Sequence, residues 1–510
     1  MSKLHGSVLA IVAGLLMPLA FSPFDLYPLA MVSLALLFWL WSQATAGRAF
    51  YFSGLFGLSM FGAGVNWVYI SMHDFGHVPW LLSVLLTVLF VSILALFPAV
   101  AAYIAVRLSL WTRRRTGSAS ILLIYPAVWS LLEWVRGWFL TGFPWLNTGY
   151  SQLESPLSGL APVLGVYGVA LALAFSSGLL LATFLRPSQP VRGIFLVSLL
   201  VLWGLSSLLG KIEWTRPEGV PLQISLIQGN IPQDLKWHPG MLALTLDTYT
   251  KLTADHWDSD LIVWPETAVP MFSHEAQSFM DEMTARSRLN DTDILLGLVY
   301  QEQPGAAYFN SMMGVGSSVS RYSKRHLVPF TEYLPLKDTL SGLIDFLDVP
   351  MSDFTAGADD QPPLLLAGQY VGVSICYEDA FGEEMINVLP KASLLVNVSN
   401  DAWFAGSVAA AQHLQMAQMR ALESGRTLIR STNTGISAFI DESGRVYAAL
   451  PQLVTDVLTA EVQPRQGATP YVMVGNLASA MVGNLPAVML MLILLLLGLW
   501  APAKWRDPGA

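Results

Sequence analysis

The 510-residue chain has one cysteine, Cys376, placed between an apolar run at residues 371–375 and the polar cluster Tyr377-Glu378-Asp379. A lone cysteine cannot form a disulfide within the chain, which leaves two interpretations. It is either a small buried apolar residue, the common case for a free cysteine, or a nucleophile activated by its surroundings. The neighbouring residues do not by themselves decide between the two.

Two other ionisable side chains occupy comparable positions. Glu266 ends the apolar run "LIVWPE", Lys324 lies in "RYSKRHLVPFTEYLP", and Cys376 ends "VGVSIC". Side chains at the ends of neighbouring strands meet at one edge of a sheet, where ligands commonly bind. Taken singly, Glu266 is typical of a solvated strand end and Lys324 of surface charge, so only their combination indicates chemistry.

A carboxylate, an ammonium and a thiol at one edge are a workable set for acyl transfer. Cys376 would be the nucleophile, and Glu266 the base that takes its proton and later returns it to a leaving group. Lys324, aided by a backbone N–H after Cys376, would stabilise the thiolate and the oxyanion of a tetrahedral intermediate.

The composition indicates an integral membrane protein. Only 12% of the residues are charged, 17 are tryptophan, and the mean hydropathy is +0.51. Long apolar stretches predict about eight transmembrane helices, although the first two are short and a count of six is more secure. The stretches lie near residues 8–21, 26–41, 50–70, 80–106, 121–138, 157–185, 194–209 and 481–500.

These stretches divide the chain into three domains. Residues 1–210 form an N-terminal transmembrane domain of about seven helices, and residues 476–510 form a C-terminal transmembrane helix with a short cytoplasmic tail. Residues 211–475 alternate apolar runs with turns, which predicts a layered α/β domain. Its strands are expected at residues 221–231, 260–266, 293–299, 370–378 and 392–400, and a helix at residues 409–425 ends at a glycine.

Charge is distributed unevenly between these parts. The membrane segments carry 11 basic and 5 acidic residues, against 16 basic and 31 acidic residues in 211–475. The basic residues fall in alternate loops, which marks the cytoplasmic side and predicts an extracytoplasmic α/β domain after seven crossings. The acidic balance of this domain argues against nucleic acid as a partner. The 8 histidines show no ligand spacing, so neither a metal nor a cofactor is predicted.

Longer motifs resemble a known family. "WPETAVP", "YSKRHLVPFTEYLP" and "SICYEDAF" resemble the Glu-Lys-Cys triad of the nitrilase superfamily. "LIQGNIPQDLKW", "VNVSNDAWF" and the N-terminal "EWVRGWFLTGFPWLNTGYSQ" narrow the resemblance to the apolipoprotein N-acyltransferases, over essentially the whole chain. One departure is Thr331, where the family often has glycine.

The resemblance implies an αββα sandwich on the periplasmic face of a bacterial inner membrane, carried by eight helices. It implies transfer of the sn-1 acyl chain of a phospholipid, typically phosphatidylethanolamine, to the α-amino group of the diacylglyceryl-cysteine that begins an apolipoprotein. We expect a monomer that follows ping-pong kinetics, because both substrates would visit the same thiol in turn.

The resemblance also assigns roles to individual residues. Glu266 is implied as the general base, Lys324 as the charge stabiliser and Cys376 as the nucleophile that becomes a thioester. Supporting or substrate-binding roles are implied for four further residues: Glu332, which orients Lys324 or the incoming amine, Tyr377 and Glu378 after the nucleophile, and Trp237 near the acyl site.

Two other functions stay open at this point. A membrane-tethered nitrilase-type amidase would use the same three residues with water as the acceptor. A transporter or scaffold with a decayed nitrilase-like domain would not retain them. Two local features are equally open: Glu133 and Arg136 are either interfacial or shape a headgroup entry, and Trp403 and Phe404 form either a lid or a packed loop.

Overall fold

The structure is a computed structural model that describes residues 2–111, 117–185, 189–333, 353–404, 406–477 and 484–501. The chain forms two compact units. We call residues 1–73, 78–213 and 473–510 the helical unit, and residues 74–77 and 214–472 the sheet unit.

The helical unit consists of long apolar helices. They are α1 (Lys3–Leu16), α2 (Pro28–Gln43), α3 (Ala46–Gly64), α4 (Trp80–Trp111), α5 (Tyr125–Arg136), α6 (Ala161–Leu185) and α7 (Gln189–Leu209), with Leu485–Trp500 near the C-terminus. Glycines allow close approach between three of them, as in other membrane helices. A Cβ on Gly14 of α1 would lie 2.3 Å from the Phe56 carbonyl oxygen of α3, and one on Gly57 of α3 would lie 2.8 Å from Ala95 Cα of α4.

The predicted count of eight spans is not established. Among the described residues, four helical segments are long and apolar enough to cross a membrane, or five if one bent pair counts as a span. Helix α2 and the helix Leu485–Trp500 have 16 residues each, and the predicted span at 121–138 corresponds to the π-helical segment Ser120–Ile124 and the 12-residue α5 that directly follows it. Several basic residues behind the orientation prediction lie outside the described residues, namely Arg113, Arg114, Arg115, Arg186, Lys504 and Arg506.

Glu133 and Arg136 of α5 hold the segment that follows the helix. Glu133 accepts hydrogen bonds from the Thr148 N–H (2.9 Å) and hydroxyl (2.6 Å), and Arg136 Nη1 donates to the carbonyl oxygens of Phe143 and Trp145. Both side chains are buried, 3.8 Å apart. These contacts favour a structural role in the helical unit over an exposed interfacial pair.

The sheet unit contains two main sheets. The first sheet uses β2 (Leu222–Gln228), β3 (Leu261–Val263), β4 (Val269–Phe272), β5 (Asp293–Gln301), β6 (Tyr308–Val315), β7 (Ser320–Ser323) and β14 (Asp456–Val462). The second uses β8 (Leu364–Leu366), β9 (Gln369–Ile375), β10 (Leu394–Ser399), β11 (Leu428–Thr432), β12 (Ala438–Ile440) and β13 (Val446–Ala449), while β1 (Thr215–Pro217) pairs with β15 (Arg465–Gly467). The strand order is β14-β2-β3-β5-β6-β7 in the first sheet, with β4 paired to β5, and β13-β12-β11-β10-β9-β8 in the second.

The sheets pack face to face, with helices on their outer faces. The inner layer joins Leu226 and Val263 of the first sheet to Val373 and Val396 of the second. Helices α8 (Leu242–Ala254) and α9 (Gln277–Asn290) contribute to the outer core of the first sheet, and α10 (Ala409–Ser424) to that of the second. The predicted αββα sandwich is therefore confirmed.

Each predicted strand is present, with ends that differ by a few residues: β3 stops early at Val263 and β9 at Ile375, whereas β5 continues past its predicted end to Gln301. The predicted helix at 409–425 corresponds to α10. It ends at Gly425, whose φ of +63° and N–H bonded to the Ala421 carbonyl form the left-handed C-cap that favours glycine. Pattern and cap chemistry thus place these elements correctly.

Gly297 of β5 lies directly against the backbone that carries Glu266. A Cβ there would come within 2.4 Å of Thr267 N and 2.5 Å of the Pro265 carbonyl oxygen. We expect Gly297→Ala to lower the melting temperature in detergent and to reduce turnover, since overpacking against a backbone costs about 1–3 kcal/mol.

Gly314→Ala on the adjacent strand β6 is the matched control. Its new methyl group would contact the ends of the Leu366 and Ser320 side chains, which can rotate away. Equal losses of melting temperature in both variants would contradict the idea that the Glu266 backbone requires a glycine beneath it.

Candidate active site

The three residues predicted to do chemistry follow strand ends of the sheet unit, and so does Asn400, which was not predicted. Cys376 directly follows β9, and Asn400 directly follows the parallel neighbour β10. Glu266 lies three residues after β3, and Lys324 directly follows β7 in the same sheet. The sandwich thus carries side chains from both sheets to one place.

Glu266 and Lys324 form the centre of this site. Lys324 Nζ lies 3.8 Å from Glu266 Oε1, and both side chains are buried. The carboxylate is oriented by two further donors: Asn310 Nδ2 at 2.7 Å from Oε1 and the Asn400 N–H at 2.8 Å from Oε2. These contacts leave Glu266 fixed in place rather than at a solvated strand end.

Glu332 holds Lys324 from the other side. Its two carboxylate oxygens lie 3.0 and 2.8 Å from Lys324 Nζ. Glu332 also accepts hydrogen bonds from the Val328 N–H (2.8 Å) and from Asn310 Nδ2 (3.0 Å). Burial lowers the pKa of Lys324, but Glu332 and Glu266 outweigh it and hold that pKa well above the usual range. Lys324 is therefore charged at neutral pH, as the predicted role of charge stabiliser requires.

Cys376 sits on a sharp turn at the end of β9. Its φ is +53°, in the left-handed region that residues with a Cβ rarely adopt, and its side chain is partly exposed. Burial and the negative charge of Glu266 raise the pKa of the Cys376 thiol above its usual range, although the Lys324 ammonium opposes them. The thiol is consequently protonated at rest and needs a base.

Glu378 links the Cys376 turn to the segment that carries Lys324. Its carboxylate is fully buried and accepts hydrogen bonds from the N–H groups of Ile375 (2.6 Å) and Arg325 (2.6 Å), and from the Tyr322 hydroxyl. It also accepts one from the His326 N–H at 3.2 Å. A carboxylate bonded to these groups positions the backbone on both sides of the site.

Tyr377 and Trp237 differ in exposure. Tyr377 is buried, and its ring packs edge-to-face against Phe381 with centroids 5.0 Å apart. Trp237 is 41% exposed and follows the short helix Gln233–Lys236. The neighbouring Lys236 Nζ donates to the Glu266 carbonyl oxygen at 3.2 Å, so this segment contacts the site directly.

Asn310, Asn400 and Lys236 were not predicted from the sequence. Asn310 donates to both Glu266 and Glu332, and burial lowers the pKa of Lys236 to about 8 despite the nearby Glu266 carboxylate. The only available signal was weak: an amide inside the apolar strand β6, another at the end of β10, and a lysine beside Trp237.

The structure shows the local conformation of Thr331 and of the segment that contains Trp403. The positive φ in the "VPFTEY" turn belongs to Phe330 (+64°) rather than to Thr331, so Thr331 does not occupy the conformation that favours glycine. Trp403 lies in the short 3₁₀ helix Asp401–Phe404, and its ring contacts that of Phe75 in the same unit, with centroids 6.3 Å apart. Movement of this segment as a lid stays a prediction.

The two parts of the chain match two family models. Residues 13–179 match the apolipoprotein N-acyltransferase N-terminal domain, and residues 223–471 match the carbon-nitrogen hydrolases. The chain is 46% identical over 474 residues to the apolipoprotein N-acyltransferase of Methylococcus capsulatus, covering 92% of each chain. It is 47% identical over 470 residues to that of Nitrosomonas europaea, covering 91% of this chain and 93% of the relative.

The opposing effects of Glu266 and Lys324 on the thiol can be measured. Because Cys376 is the one cysteine, iodoacetamide labelling of the purified protein reports on this thiol alone. We expect Glu266→Gln to abolish turnover and yet to speed labelling at neutral pH by roughly tenfold, the effect of lowering the thiol pKa by one unit.

Lys324→Gln is the paired variant of opposite sign, in which labelling should slow because the cation that favours the thiolate is gone. The measurement is the labelling rate at several pH values, followed by the mass of the intact protein. Slower labelling in Glu266→Gln would show that the glutamate does not raise the thiol pKa.

Proposed function

Because the chain belongs to the apolipoprotein N-acyltransferase family, we propose that it carries the acyl group as a thioester on Cys376 during lipoprotein N-acylation. The donor in this proposal is the sn-1 ester of a phospholipid such as phosphatidylethanolamine. The acceptor is the α-amino group of the diacylglyceryl-modified cysteine of an apolipoprotein. The observation that carries the proposal is the buried Lys324 ammonium, held between Glu266 and Glu332 beside the thiol.

The first half-reaction forms the thioester. Glu266 accepts the proton of the Cys376 thiol, and the sulfur attacks the ester carbonyl carbon. Lys324 and the N–H of Tyr377 stabilise the resulting oxyanion. The carbon–oxygen bond of the ester then breaks, and Glu266 returns the proton to the departing lysophospholipid oxygen.

The second half-reaction forms the amide. The α-amino group attacks the thioester carbonyl carbon, and Glu266 accepts the proton that the nitrogen loses. The carbon–sulfur bond breaks, and the thiolate regains a proton from Glu266. An amide is more stable than a thioester, so the relay through sulfur divides a slow aminolysis of an ester into two easier steps.

Glu332 keeps Lys324 charged and in place through both half-reactions. Its contacts with Nζ support the role of orienting the lysine rather than the incoming amine. Glu378 connects the Cys376 turn to the segment that carries Lys324 through its buried hydrogen bonds. Trp237 and Tyr377 are proposed as acyl-chain contacts.

We place the enzyme in the bacterial inner membrane with the sheet unit in the periplasm. The apolar helices support a membrane location, and the loop charge supports the orientation. Both proposed substrates are embedded in lipid, so helices that keep the catalytic unit at the bilayer would confine the encounter to two dimensions.

Reconstitution with isotope-labelled phospholipid tests the thioester. We expect mass spectrometry of the wild-type protein, without acceptor, to find an acyl group on the Cys376 peptide. A lipidated peptide amine should then release the group as an amide. Cys376→Ser, which differs by one atom, should form no amide, because the hydroxyl has a much higher pKa than the thiol.

The same experiment separates the amidase alternative. An amidase would clear the thioester in buffer alone, whereas a transferase holds it until the amine is added. Normal turnover by Cys376→Ser would refute the assignment of the nucleophile.

A further inference from the structure

Four charged side chains are buried together beside the Cys376 turn and take no part in the proposed proton transfers. They are Asp379, Asp401, His413 and Arg430, none more than 4% exposed. Arg430 contacts Asp379 (2.9 Å) and Asp401 (3.1 Å), and His413 contacts the same two carboxylates at 2.8 and 3.1 Å. We call these four residues the charge cluster.

The charge cluster contacts the carbonyl oxygen of Cys376. This oxygen lies 3.2 Å from His413 Nε2 and 3.2 Å from Asn397 Nδ2. Asn397 is itself tied to the cluster, because Arg430 Nη1 donates to its Oδ1 at 2.5 Å. Both donors are therefore held by Arg430 and its carboxylates.

The proton on His413 Nε2 does not depend on the charge of the ring. Nε2 faces two acceptors, the Cys376 carbonyl oxygen and Asp379 Oδ1. Without a hydrogen on Nε2, three acceptor atoms would face one another with no donor between them. Nδ1 lies 3.1 Å from Asp401 Oδ1 and 2.7 Å from Arg430 Nη2, an acceptor and a donor. Nε2 is thus the donor to Cys376 in both the neutral ring and the cation.

The two carboxylates favour the cation. Burial and Arg430 lower the pKa of His413, but Asp379 and Asp401 outweigh them and raise it to about 9. At neutral pH the cluster then has two positive and two negative charges and no net charge, which is how buried ions are normally tolerated.

The orientation of the carbonyl determines that of the next N–H. Within one trans peptide the C=O and N–H bonds point in opposite directions. The Cys376 carbonyl points at His413 and Asn397, so the N–H of Tyr377 points away from them. The φ of +53° at Cys376 is not one that the chain prefers locally, so external contacts must hold this turn.

We propose that His413 and Asn397 are positioning residues that hold the Cys376–Tyr377 peptide plane, so that the Tyr377 N–H is directed at the oxyanion of both tetrahedral intermediates. The inference rests on the proposed role of Cys376 as the nucleophile. The charge cluster gives the contact its rigidity, because a rotated peptide would break the two buried hydrogen bonds that the Cys376 carbonyl accepts from His413 and Asn397.

The charge cluster is also connected to Glu266, the proposed base. Asp401 directly follows Asn400, whose N–H donates to Glu266, and the Ser399 hydroxyl donates to Asp401 Oδ1 at 2.7 Å. The segment 399–401 therefore connects the charge cluster to Glu266 as well as to Cys376.

His413→Leu and His413→Gln in the full-length, lipid-reconstituted protein test the proposal. Glutamine can place an amide N–H near the position of Nε2, whereas leucine fills similar space without a donor. We expect His413→Leu to lower kcat by roughly 100-fold, as for loss of one oxyanion donor, with KM within about twofold. His413→Gln should recover most of that loss, and acyl-enzyme formation in a single turnover should slow in parallel with kcat.

Asn397→Leu probes the same carbonyl from the second donor and serves if His413→Leu does not fold. We expect Asn397→Leu to lower kcat and to leave KM unchanged. Its melting temperature should equal that of His413→Gln, which shows that the loss of kcat does not come from unfolding. Equal kcat in the leucine and glutamine variants of position 413, or a change confined to KM, would overturn the proposal. If the variants behave in this way while Cys376→Ser is inactive, the positioning inference fails and the nucleophile assignment stands.

Discussion

The site is organised around one buried ammonium between two carboxylates. An isolated lysine with 1% exposed surface would lose its proton, because desolvation penalises the charged form. Glu266 and Glu332 reverse that outcome, and Asn310, which donates to both, fixes the distance between them. The cation stabilises the two buried carboxylates just as they stabilise the cation, so the three side chains hold one another in a single arrangement.

This arrangement also explains why the thiol is not ionised at rest. A carboxylate beside the sulfur raises the thiol pKa, and the adjacent ammonium only partly offsets it. In the proposed mechanism the neutral thiol passes its proton to Glu266 when an acyl carbonyl arrives and accepts the sulfur electrons. A site that kept the thiolate permanently would not have a proton ready for the leaving group.

The sandwich provides rigidity by joining distant segments through polar contacts at its edge. Glu378 ties the nucleophile turn to the lysine segment, and Asn400 ties β10 to Glu266. Each link is a hydrogen bond to a backbone group or a charge, which in a buried setting is costly to break. The inner apolar layer between the sheets sets the spacing on which these bonds depend.

Four features could be predicted from the order of the amino acids alone: the membrane class, the α/β pattern, the strand ends near Glu266 and Cys376, and the glycine that ends α10. These are local properties, because hydrophobic periodicity and cap chemistry are read within one turn or one strand. The count of eight spans stays a prediction, because apolar length alone does not show whether a short helix such as the 16-residue α2 crosses a membrane. Three contacts became apparent only in the folded chain. Glu332 pairs with Lys324, Asn310 donates hydrogen bonds to both Glu266 and Glu332, and His413 contacts the Cys376 carbonyl. Hydrogen bonds and buried charge pairs act over a few ångströms, so they depend on which strands become neighbours in the fold. The spacing of residues along the chain does not indicate which strands those are.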